Sequence, residues 1–434
     1  MKRYKTIVTV FVLVGLLVVV LGVQAESENR YLIKSDKAFW KNTFNSRHVF
    51  DDGFTANLSN WQLKLAKVFN VDVEPIPMLQ ILPTDAGILQ GPELGAPLGM
   101  PEVSAPKKDR PVKPDKPDKP GKPDDPVDTD GTVPEDQTPW GIEVIYNDAD
   151  IEETSGGKDV TVAVLDTGVN KDHADLARRV TKCGDFTDPD IVFYEGECSD
   201  LNGHGTHVAG IIGADGGEDG LGIYGVAPEV SIWAYKVCDV SGSCWADDIA
   251  GAIRQAADLS VNIINLSIGS DVEIPMITDA INYAREVREG KEAVLVIVAA
   301  GNDGPSKASI DHPAAHEYAV SVGAFDENYN IARWSSRGIN SGTIEYEKNA
   351  GDIEFAAPGV EIESTWKDDG YAKKSGTSMA TPFIAGLAAK LWGGTADTTR
   401  TALQLLANDI GKIGDDDASG FGFPVVPDAT YKVN

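Results

Sequence analysis

From Trp140 onward, short apolar segments alternate with longer segments of mixed character. Three short segments are apolar almost throughout, and they cover residues 160–165, 261–266 and 293–300. Such strands are typical of parallel sheets, because both of their faces are buried. The longer segments at 245–257 and 276–287 carry apolar residues at helical spacing. This alternation predicts an α/β domain with a mainly parallel central sheet and helices on both faces. Functional residues are then expected beyond the carboxyl ends of the strands.

A low-complexity stretch separates this domain from the first part of the chain. Residues 101–136 are rich in Pro, Lys and Asp, so they cannot bury a core and predict an extended, protease-accessible linker. Before the linker, residues 26–83 are predicted to form a small α+β unit. Its expected elements are a strand at 31–33, a helix over 58–69 capped by Asn57 or Ser59, and an edge-type strand over 71–82 around Pro75 and Pro77.

The first residues have the layout of an export signal. Three basic residues precede an apolar run at 7–23, and Val23-Gln24-Ala25 places small residues at the two positions that signal peptidases read. We therefore predict a signal peptide over residues 1–25 that is cleaved after Ala25. The apolar run is also close to the length that spans a bilayer, so an uncleaved membrane anchor is the alternative.

Four cysteines fit an exported protein. Of the three possible connectivities, we favour the nearest-neighbour pairs Cys183–Cys198 and Cys238–Cys244, because both loops are short and rich in Gly, Asp and Ser. A zinc site made of all four cysteines is the alternative. It is disfavoured because paired C-x2-C spacing is absent from the sequence.

The charge balance limits the classes of partner. Lys and Arg total 38 against 67 Asp and Glu, and −27 of the net charge of −29 lies in residues 137–434. Nucleic-acid binding through phosphate contacts is excluded, because it needs a basic surface. A well-solvated acidic surface is the simplest interpretation, and it would also suit salty water or cation binding.

Three motifs offer an acid, a base and a nucleophile. Asp166 stands where an apolar strand is predicted to end, in Val-Leu-Asp-Thr-Gly. His204 lies between two glycines in Asn-Gly-His-Gly-Thr-His-Val-Ala-Gly, and imidazole is the usual general base near neutral pH. Ser378, in Gly-Thr-Ser-Met-Ala-Thr-Pro, precedes a helix predicted over 379–391 with Pro382 in its first turn. Its hydroxyl would lie at the positive end of the helix dipole.

A fourth motif ends the apolar strand at 293–300 with Asn302, whose amide can donate a hydrogen bond to an oxyanion together with the Ser378 N–H. Each motif alone has a simpler interpretation, such as a turn aspartate or a helix-capping serine. His204 and His207 also lie one helical turn apart, as metal ligands do, but the Glu of an H-E-x-x-H motif is missing.

In the order Asp166, His204, Asn302 and Ser378, these motifs resemble those of the subtilases, the subtilisin-like serine peptidases. The resemblance runs from about Gln137 to the C-terminus. It implies a subtilisin-like three-layer fold and a secreted serine endopeptidase. In that family the serine attacks a peptide carbonyl, the histidine moves the proton, the aspartate holds the imidazole, and an acyl-enzyme forms without any cofactor.

The resemblance also implies a substrate site. The segment containing Ser267, Ile268 and Gly269 is similar to the family strand that pairs with the peptide, and Ala300 and Gly301 are expected to line the same site. The Cys238–Cys244 bridge would staple the loop that faces this strand. Asp311 aligns with the floor of the primary specificity pocket, where a carboxylate would favour Lys or Arg before the scissile bond. The alternative, which we favour from sequence, is that Asp311 turns outward and the pocket takes large apolar side chains.

A structural calcium site is implied by the same resemblance. Its expected ligands are the carboxylates of Asp175 and Asp219 and the carbonyls of Gly217, Leu221 and Ile223. The family's N-terminal ligand falls near Asp136 or Gln137.

The family also implies a precursor. Residues 26–100 would be a pro-region, 101–136 the linker that is cut, and 137–434 the catalytic domain, with the pro-region acting as an intramolecular chaperone and inhibitor. The expected product is an extracellular monomer that cleaves polypeptides and has no membrane contact after signal removal. A membrane-tethered processing protease of narrow specificity and an inactive subtilase-fold binding module are the alternatives.

Overall fold

The computed structural model describes five segments of the chain: residues 29–82, 133–188, 193–286, 291–340 and 348–427. The predicted signal peptide and all but the last residues of the predicted linker lie outside the described residues. None of the described helices is both long and apolar enough to cross a membrane. The chain divides into two compact units, with the boundary after Ile76.

The first unit is a small α+β domain with an antiparallel sheet in the order β2-β3-β1-β4. Its elements are β1 (Asn29–Ile33), α1 (Ala38–Phe44), β2 (Val49–Phe50), β3 (Gly53–Leu58), α2 (Asn60–Val68) and β4 (Val73–Pro75). Trp40, Phe44 and Phe54 are buried at the centre of its core. The predicted strand and helix are both present, and Ser59 is the cap of α2.

The predicted edge strand over 71–82 is two separate strands in the structure. β4 pairs with β1 in the first unit, whereas β5 (Met78–Ile81) belongs to the second unit. Pro75 and Pro77 have no N–H to donate, so one continuous ladder cannot run through them. The small unit therefore ends earlier than the predicted residue 83.

The second unit is built on an eight-stranded sheet in the order β15-β14-β13-β11-β6-β9-β7-β8. Its strands are β6 (Thr161–Asp166), β7 (Val180–Asp185), β8 (Tyr194–Glu195), β9 (Ser231–Lys236), β11 (Ile263–Leu266), β13 (Leu295–Ala299), β14 (Val320–Phe325) and β15 (Phe355–Pro358). All neighbouring pairs are parallel except β7 with β8. The mainly parallel sheet and its packed helices form the predicted three-layer α/β fold.

The helices of this unit are α3 (Trp140–Tyr146), α4 (His204–Gly213), α5 (Ala246–Asp258), α6 (Pro275–Arg285), α7 (Thr377–Lys390) and α8 (Ala396–Leu405). Helices α4 and α7 pack together, as do α5 and α6, and α7 also packs against β11, β13, β14 and β15. Short strands complete the unit: β10 (Ser243–Trp245), β12 (Ile268–Gly269), β16 (Ile362–Thr365), β17 (Tyr371–Lys374), β18 (Ala407–Asn408) and β19 (Phe423–Pro424).

The sheet order brings the predicted site residues to one edge. Strands β13, β11 and β6 are consecutive neighbours, and they end just before Asn302, just before Ser267 and at Asp166. Because parallel strands share the direction of their carboxyl ends, these three residues meet at the same rim. Helix α7 begins at Thr377, earlier than predicted, so Ser378 lies within its first turn and Pro382 in its second.

Candidate active site

Asp166 and His204 form a buried pair at the rim of the sheet. Asp166 is the last residue of β6, His204 is the first residue of α4, and both side chains are almost fully buried. His204 Nδ1 lies 2.8 Å from Asp166 Oδ1 and 3.0 Å from Oδ2. Because the carboxylate accepts the proton of Nδ1, the other ring nitrogen, Nε2, carries the basic lone pair. Among the described residues Nε2 has no hydrogen-bond partner.

Asp200, which no sequence motif singled out, holds the turn that carries His204. Its Oδ1 accepts hydrogen bonds from Thr167 Oγ1 (2.9 Å), Asn202 N (3.0 Å) and Gly203 N (2.7 Å). Its Oδ2 accepts two more, from the Thr206 N–H (3.0 Å) and the Thr206 hydroxyl (2.6 Å). Asp200 therefore ties the start of α4 to the residue that follows Asp166. Its position two residues before Asn202, typical of an Asx turn, was the only signal in the sequence.

Ser378 is joined to Ser267 by two reciprocal contacts. Ser378 Oγ donates to the Ser267 carbonyl (3.3 Å), and Ser267 Oγ donates to the Ser378 carbonyl (3.0 Å). Pro382 makes the second bond possible, because it stands four residues after Ser378 and has no N–H for that carbonyl. The Ser378 hydroxyl therefore donates to the Ser267 carbonyl and not to His204 Nε2 in this structure.

Asn302 is oriented by Thr377, a second residue whose role the sequence did not reveal. Asn302 Oδ1 accepts from the Thr377 N–H (3.1 Å) and from the Thr377 hydroxyl (3.0 Å). Thr377 Oγ1 in turn accepts from the Gly301 N–H (3.2 Å). With the amide oxygen anchored in this way, the Asn302 NH2 group points away from Thr377. This is the orientation that an oxyanion donor requires.

Strand β5 of the chain itself lies in the predicted substrate cleft. It pairs antiparallel with β12 on one side, where Ile81 faces Ile268 and Gln80 faces Gly269. On its other side it pairs antiparallel with β10, and Ile81 N donates to the Gly242 carbonyl (2.9 Å). The segment 267–269 and the loop closed by Cys238–Cys244, which the sequence predicts to face each other across the substrate site, are therefore the two neighbours of β5, and β5 is the middle strand between them.

Leu82, the residue after β5, and Asp311 flank Gly269. A methyl group at Gly269 would overlap Asp311 Oδ2 and would lie 2.8 Å from Leu82 Cδ2. A methyl group at Gly301 would lie 2.6 Å from Asp311 Cγ. Only glycines therefore leave room for the carboxylate, which is buried between the ends of β12 and β13. The expectation that Asp311 turns outward is wrong, because its side chain is buried next to Gly269 and Gly301.

Burial of Asp311 raises the pKa of its carboxyl group to about 8, with further contributions from the negative charges of Asp303 and Asp271 and from a hydrogen bond with Asp303. The side chain is only 3% exposed, so its charge is poorly solvated.

The predicted calcium ligands also lie close together. Asp175 Oδ2 accepts from Ile223 N (2.9 Å) and from the Tyr371 hydroxyl (2.8 Å), and desolvation raises the pKa of Asp175. A methyl group at Gly222 would overlap the Asp175 carboxylate, so the loop closes directly on it. Asp219 Oδ1 accepts from Leu221 N (3.1 Å) at the other end of this loop.

Gln137, and not Asp136, is the N-terminal residue at this loop. Its side-chain Nε2 donates to the Gly220 carbonyl (2.6 Å) and to the Gly222 carbonyl (3.0 Å). The Gly217 carbonyl already accepts from Arg178 Nη2 (2.7 Å), which leaves it one lone pair for another partner. Two carboxylates and several backbone carbonyls form a set of oxygen ligands, which fits Ca²⁺, and a half-turn of the Gln137 amide would bring its oxygen to the same loop.

The described residues form neither of the two alternative metal sites, the zinc site of four cysteines and the His204–His207 pair. Cys183 is bonded to Cys198 and Cys238 to Cys244, so the four thiols are used in the favoured nearest-neighbour pairing. His207 Nε2 lies 3.0 Å from the Ile362 carbonyl and 2.9 Å from the Ala372 carbonyl. Desolvation lowers the pKa of His207 to about 3, so this buried imidazole is neutral and tethers β16 and β17 instead of sharing a metal with His204.

Comparison with known proteins shows the family of the chain. A family model described as the subtilase family matches residues 157–422. Subtilisin from Bacillus sp. (strain TA39) is 39% identical over 463 aligned residues, which cover 98% of this chain and 100% of that protein. Thermitase from Thermoactinomyces vulgaris is 38% identical over 267 residues, or 61% of this chain and 86% of thermitase.

Two solved structures are similar over the same region. S41 psychrophilic protease is 46% identical with a TM-score of 0.64, and sphericase is 45% identical with a TM-score of 0.65. Each match covers 68% of this chain and 100% of the other. The chain therefore belongs to the subtilase family of serine endopeptidases.

Proposed function

We propose that Ser378, His204 and Asp166 are the nucleophile, general base and orienting acid of this endopeptidase. Ser378 Oγ attacks the carbonyl carbon of a peptide bond while His204 Nε2 accepts the hydroxyl proton. The carbonyl oxygen becomes an oxyanion, which accepts hydrogen bonds from the Asn302 amide and the Ser378 N–H. His204 then protonates the leaving amine. Water releases the acyl-enzyme by the same proton transfers, and the chemistry uses no cofactor.

The position of β5 is the observation that carries this proposal. Its antiparallel register pairs Ile81 with Ile268, so Leu82 comes opposite Ser267, which contacts Ser378. In a substrate that binds as β5 does, one residue would take the place of Leu82. The backbone carbonyl of that residue would then lie beside Ser378, the nucleophile. Ser267, Ile268 and Gly269 would supply the backbone ladder, and Ala300 and Gly301 would line the primary pocket.

The same position supports a precursor that inhibits itself. In this proposal residues 1–25 direct secretion, 26–100 are the pro-region, and 137–434 are the mature enzyme, released as an extracellular monomer. The pro-region assists folding and keeps β5 in the groove as a competitive peptide. Cleavage within the linker at 101–136 then allows the pro-region to leave.

We further propose that calcium binds at the loop 217–223. Asp175 and Asp219 would supply the charged ligands, the carbonyls of Gly217, Leu221 and Ile223 the neutral ones, and Gln137 a further amide oxygen. The ion would hold the N-terminal segment of the mature enzyme to this loop and would take no part in the reaction.

Expression of residues 26–434 as wild type and as Ser378→Ala tests the catalytic proposal. We expect the wild type to shed its N-terminal part and to cleave casein, whereas the Ser378→Ala protein stays intact and inactive, since loss of the nucleophile removes the acyl-enzyme route. Gel electrophoresis and mass spectrometry would identify the cleaved bond.

Equal processing of both proteins would contradict the proposal. A folded wild type that neither processes itself nor cleaves casein, with calcium and varied salt, would indicate a binding module.

A further inference from the structure

The primary pocket combines an apolar occupant with a buried acid. Leu82 Cδ2 and Asp311 Oδ2 both approach the same point, the hydrogen atoms of Gly269. A charged carboxylate beside a leucine side chain would be costly, because neither water nor a cation solvates it there. The carboxyl group is compatible with leucine when it is protonated, and it is complementary to a basic side chain when it is ionised.

The groups that face Asp311 decide which form it takes. Asp303 follows the end of β13, and Asp271 follows the end of β12. One carboxylate oxygen from each of the three acids lies within 4.8 Å of the others. At this separation two carboxyl groups, one of them buried, favour sharing a proton over carrying two negative charges. His312 is the neighbouring titratable residue on the segment of Asp311, and its backbone pairs with Ser270. The hydroxyl group of Ser336, near Gly301, carries no charge and can donate a hydrogen bond.

We propose that Asp311 lets this peptidase cleave two classes of substrate. When the Asp311–Asp303 pair holds a proton, the enzyme cleaves peptides with a leucine-like residue before the scissile bond. When Asp311 is ionised, it cleaves peptides with Arg or Lys at that position. The inference rests on the peptidase function proposed above. It makes Asp311 a specificity-determining residue and Asp303 a positioning residue that sets its protonation.

The direction of the pH effect follows from the pKa of Asp311, which burial and the two acidic neighbours raise to about 8. Below this pH the carboxyl group is neutral and accommodates leucine. Above it the carboxylate is charged, and the positive side chain of Arg or Lys replaces the missing solvation. A bound basic side chain stabilises the ionised form, so such substrates also lower the pH at which Asp311 ionises.

Two peptides that differ only at this position, with Leu or Arg before the scissile bond, provide the test. The enzyme is the active product of the full chain, with its active sites titrated. The ratio of kcat/KM for Arg to kcat/KM for Leu is measured at constant calcium and salt. Any pH effect that is common to the two substrates cancels in the ratio. We expect the ratio to rise about tenfold or more between about pH 6 and about pH 10.

Two variants separate the roles of the acids. Asp311→Asn should give a low ratio that is independent of pH, because no charge forms at the floor of the pocket. Asp303→Asn removes one negative neighbour, so the rise of the ratio should move to lower pH while its size is kept. This second variant keeps the test decisive if Asp311→Asn folds poorly.

The outcomes are distinguishable. An active enzyme whose ratio stays constant across this pH range, or whose ratio changes identically in Asp311→Asn, overturns the inference and leaves the peptidase function intact. A folded wild type that cleaves neither peptide nor casein overturns the proposed function and this inference with it.

Discussion

At the scale of single residues, two polar side chains outside the proposed catalytic triad set the geometry of the site. Asp200 accepts five hydrogen bonds from the segments around His204 and Asp166, and Thr377 fixes the orientation of the Asn302 amide. Reactive groups must be held within fractions of an ångström, so these anchors matter for rate as well as for stability.

Substitution of Asp200 by Asn tests this positioning role. In the wild type, backbone N–H groups donate to both carboxylate oxygens of Asp200. The amide of asparagine would place its NH2 group against at least one of these N–H groups. Two donors would then face each other, and a repulsive contact would replace a hydrogen bond at the start of α4. We expect kcat to fall about tenfold or more with little change in KM, since about 1–3 kcal/mol of local hydrogen bonding is lost. Steady-state kinetics of the titrated enzyme measures both constants.

Asp326→Asn is the matched control, because Asp326 also accepts backbone N–H groups in a turn but is only half-buried and belongs to the turn after β14. If Asp200→Asn lowered only the melting temperature and left kcat unchanged, Asp200 would be structural and not a positioning residue.

At the scale of elements, the groove is a three-stranded sheet whose middle strand is supplied by the chain itself. β5 has partners on both edges, and within it Leu79 is buried between the exposed Met78 and Gln80. This alternation is the pattern of a strand that reads side chains on one face. Leu79 lines a small apolar pocket with Ile274, Ile277 and Pro313. The groove is therefore expected to select apolar residues at that position of a substrate.

Gly242→Ala should loosen this middle strand. Gly242 has φ +81°, and a methyl group there would lie 2.5 Å from Ile81 Cγ1, so the substitution adds a clash to backbone strain. In the Ser378→Ala background, which keeps the chain intact, we expect the Ile81 amide to exchange hydrogen about tenfold faster or more. Hydrogen-exchange mass spectrometry of the segment 77–82 measures this.

Gly414→Ala controls for the strain alone, because Gly414 has φ +85° and the position that its added methyl group would take has no described atom within 4 Å. Equal exchange of Ile81 in both variants would mean that Gly242 does not hold β5.

At the scale of the whole molecule, the second unit joins an acidic surface to the proposed calcium site. Residues 137–434 carry a net charge of −27, and self-repulsion of this kind weakens the compact state. A calcium ion at the loop 217–223 would offset part of it locally and would connect Gln137 to Asp175, which lie 38 positions apart in the sequence numbering.

Removal of calcium should therefore destabilise the protein. For the Ser378→Ala chain, which cannot digest itself, we expect EDTA to lower the Tm by about 5 °C or more, since a ligand at a hundred times its Kd contributes about 2.7 kcal/mol. Ca²⁺ should restore the Tm and Mg²⁺ should not, because the smaller ion demands a stricter geometry. Scanning calorimetry gives the values.

Asp219→Ala, which removes the ligand oxygen, should abolish the difference between the EDTA and calcium samples, whereas Asp326→Ala should keep it. If EDTA does not change the Tm of the Ser378→Ala chain that keeps Asp219, the calcium proposal is contradicted.

The sequence by itself determined the features that depend on local pattern. Buried parallel strands are apolar runs, so the positions of β6, β11 and β13 could be predicted, and the short motifs around Asp166, His204, Asn302 and Ser378 identified the residues at the rim. Short disulfide loops likewise suggested the pairing that the structure has. In each case neighbouring residues carry the whole signal.

Only the tertiary structure decided the features that depend on distant contacts. Met78–Ile81 became the middle strand of the groove because β10 and β12, more than 160 residues later, offer two unpaired edges. Asp311 turned inward because glycines at 269 and 301 leave space for its carboxylate. Asp200 became an anchor because the ends of β6 and α4 converge on it. Such contacts form between segments that share no local pattern, so the physical cause lies in the packing of the folded chain.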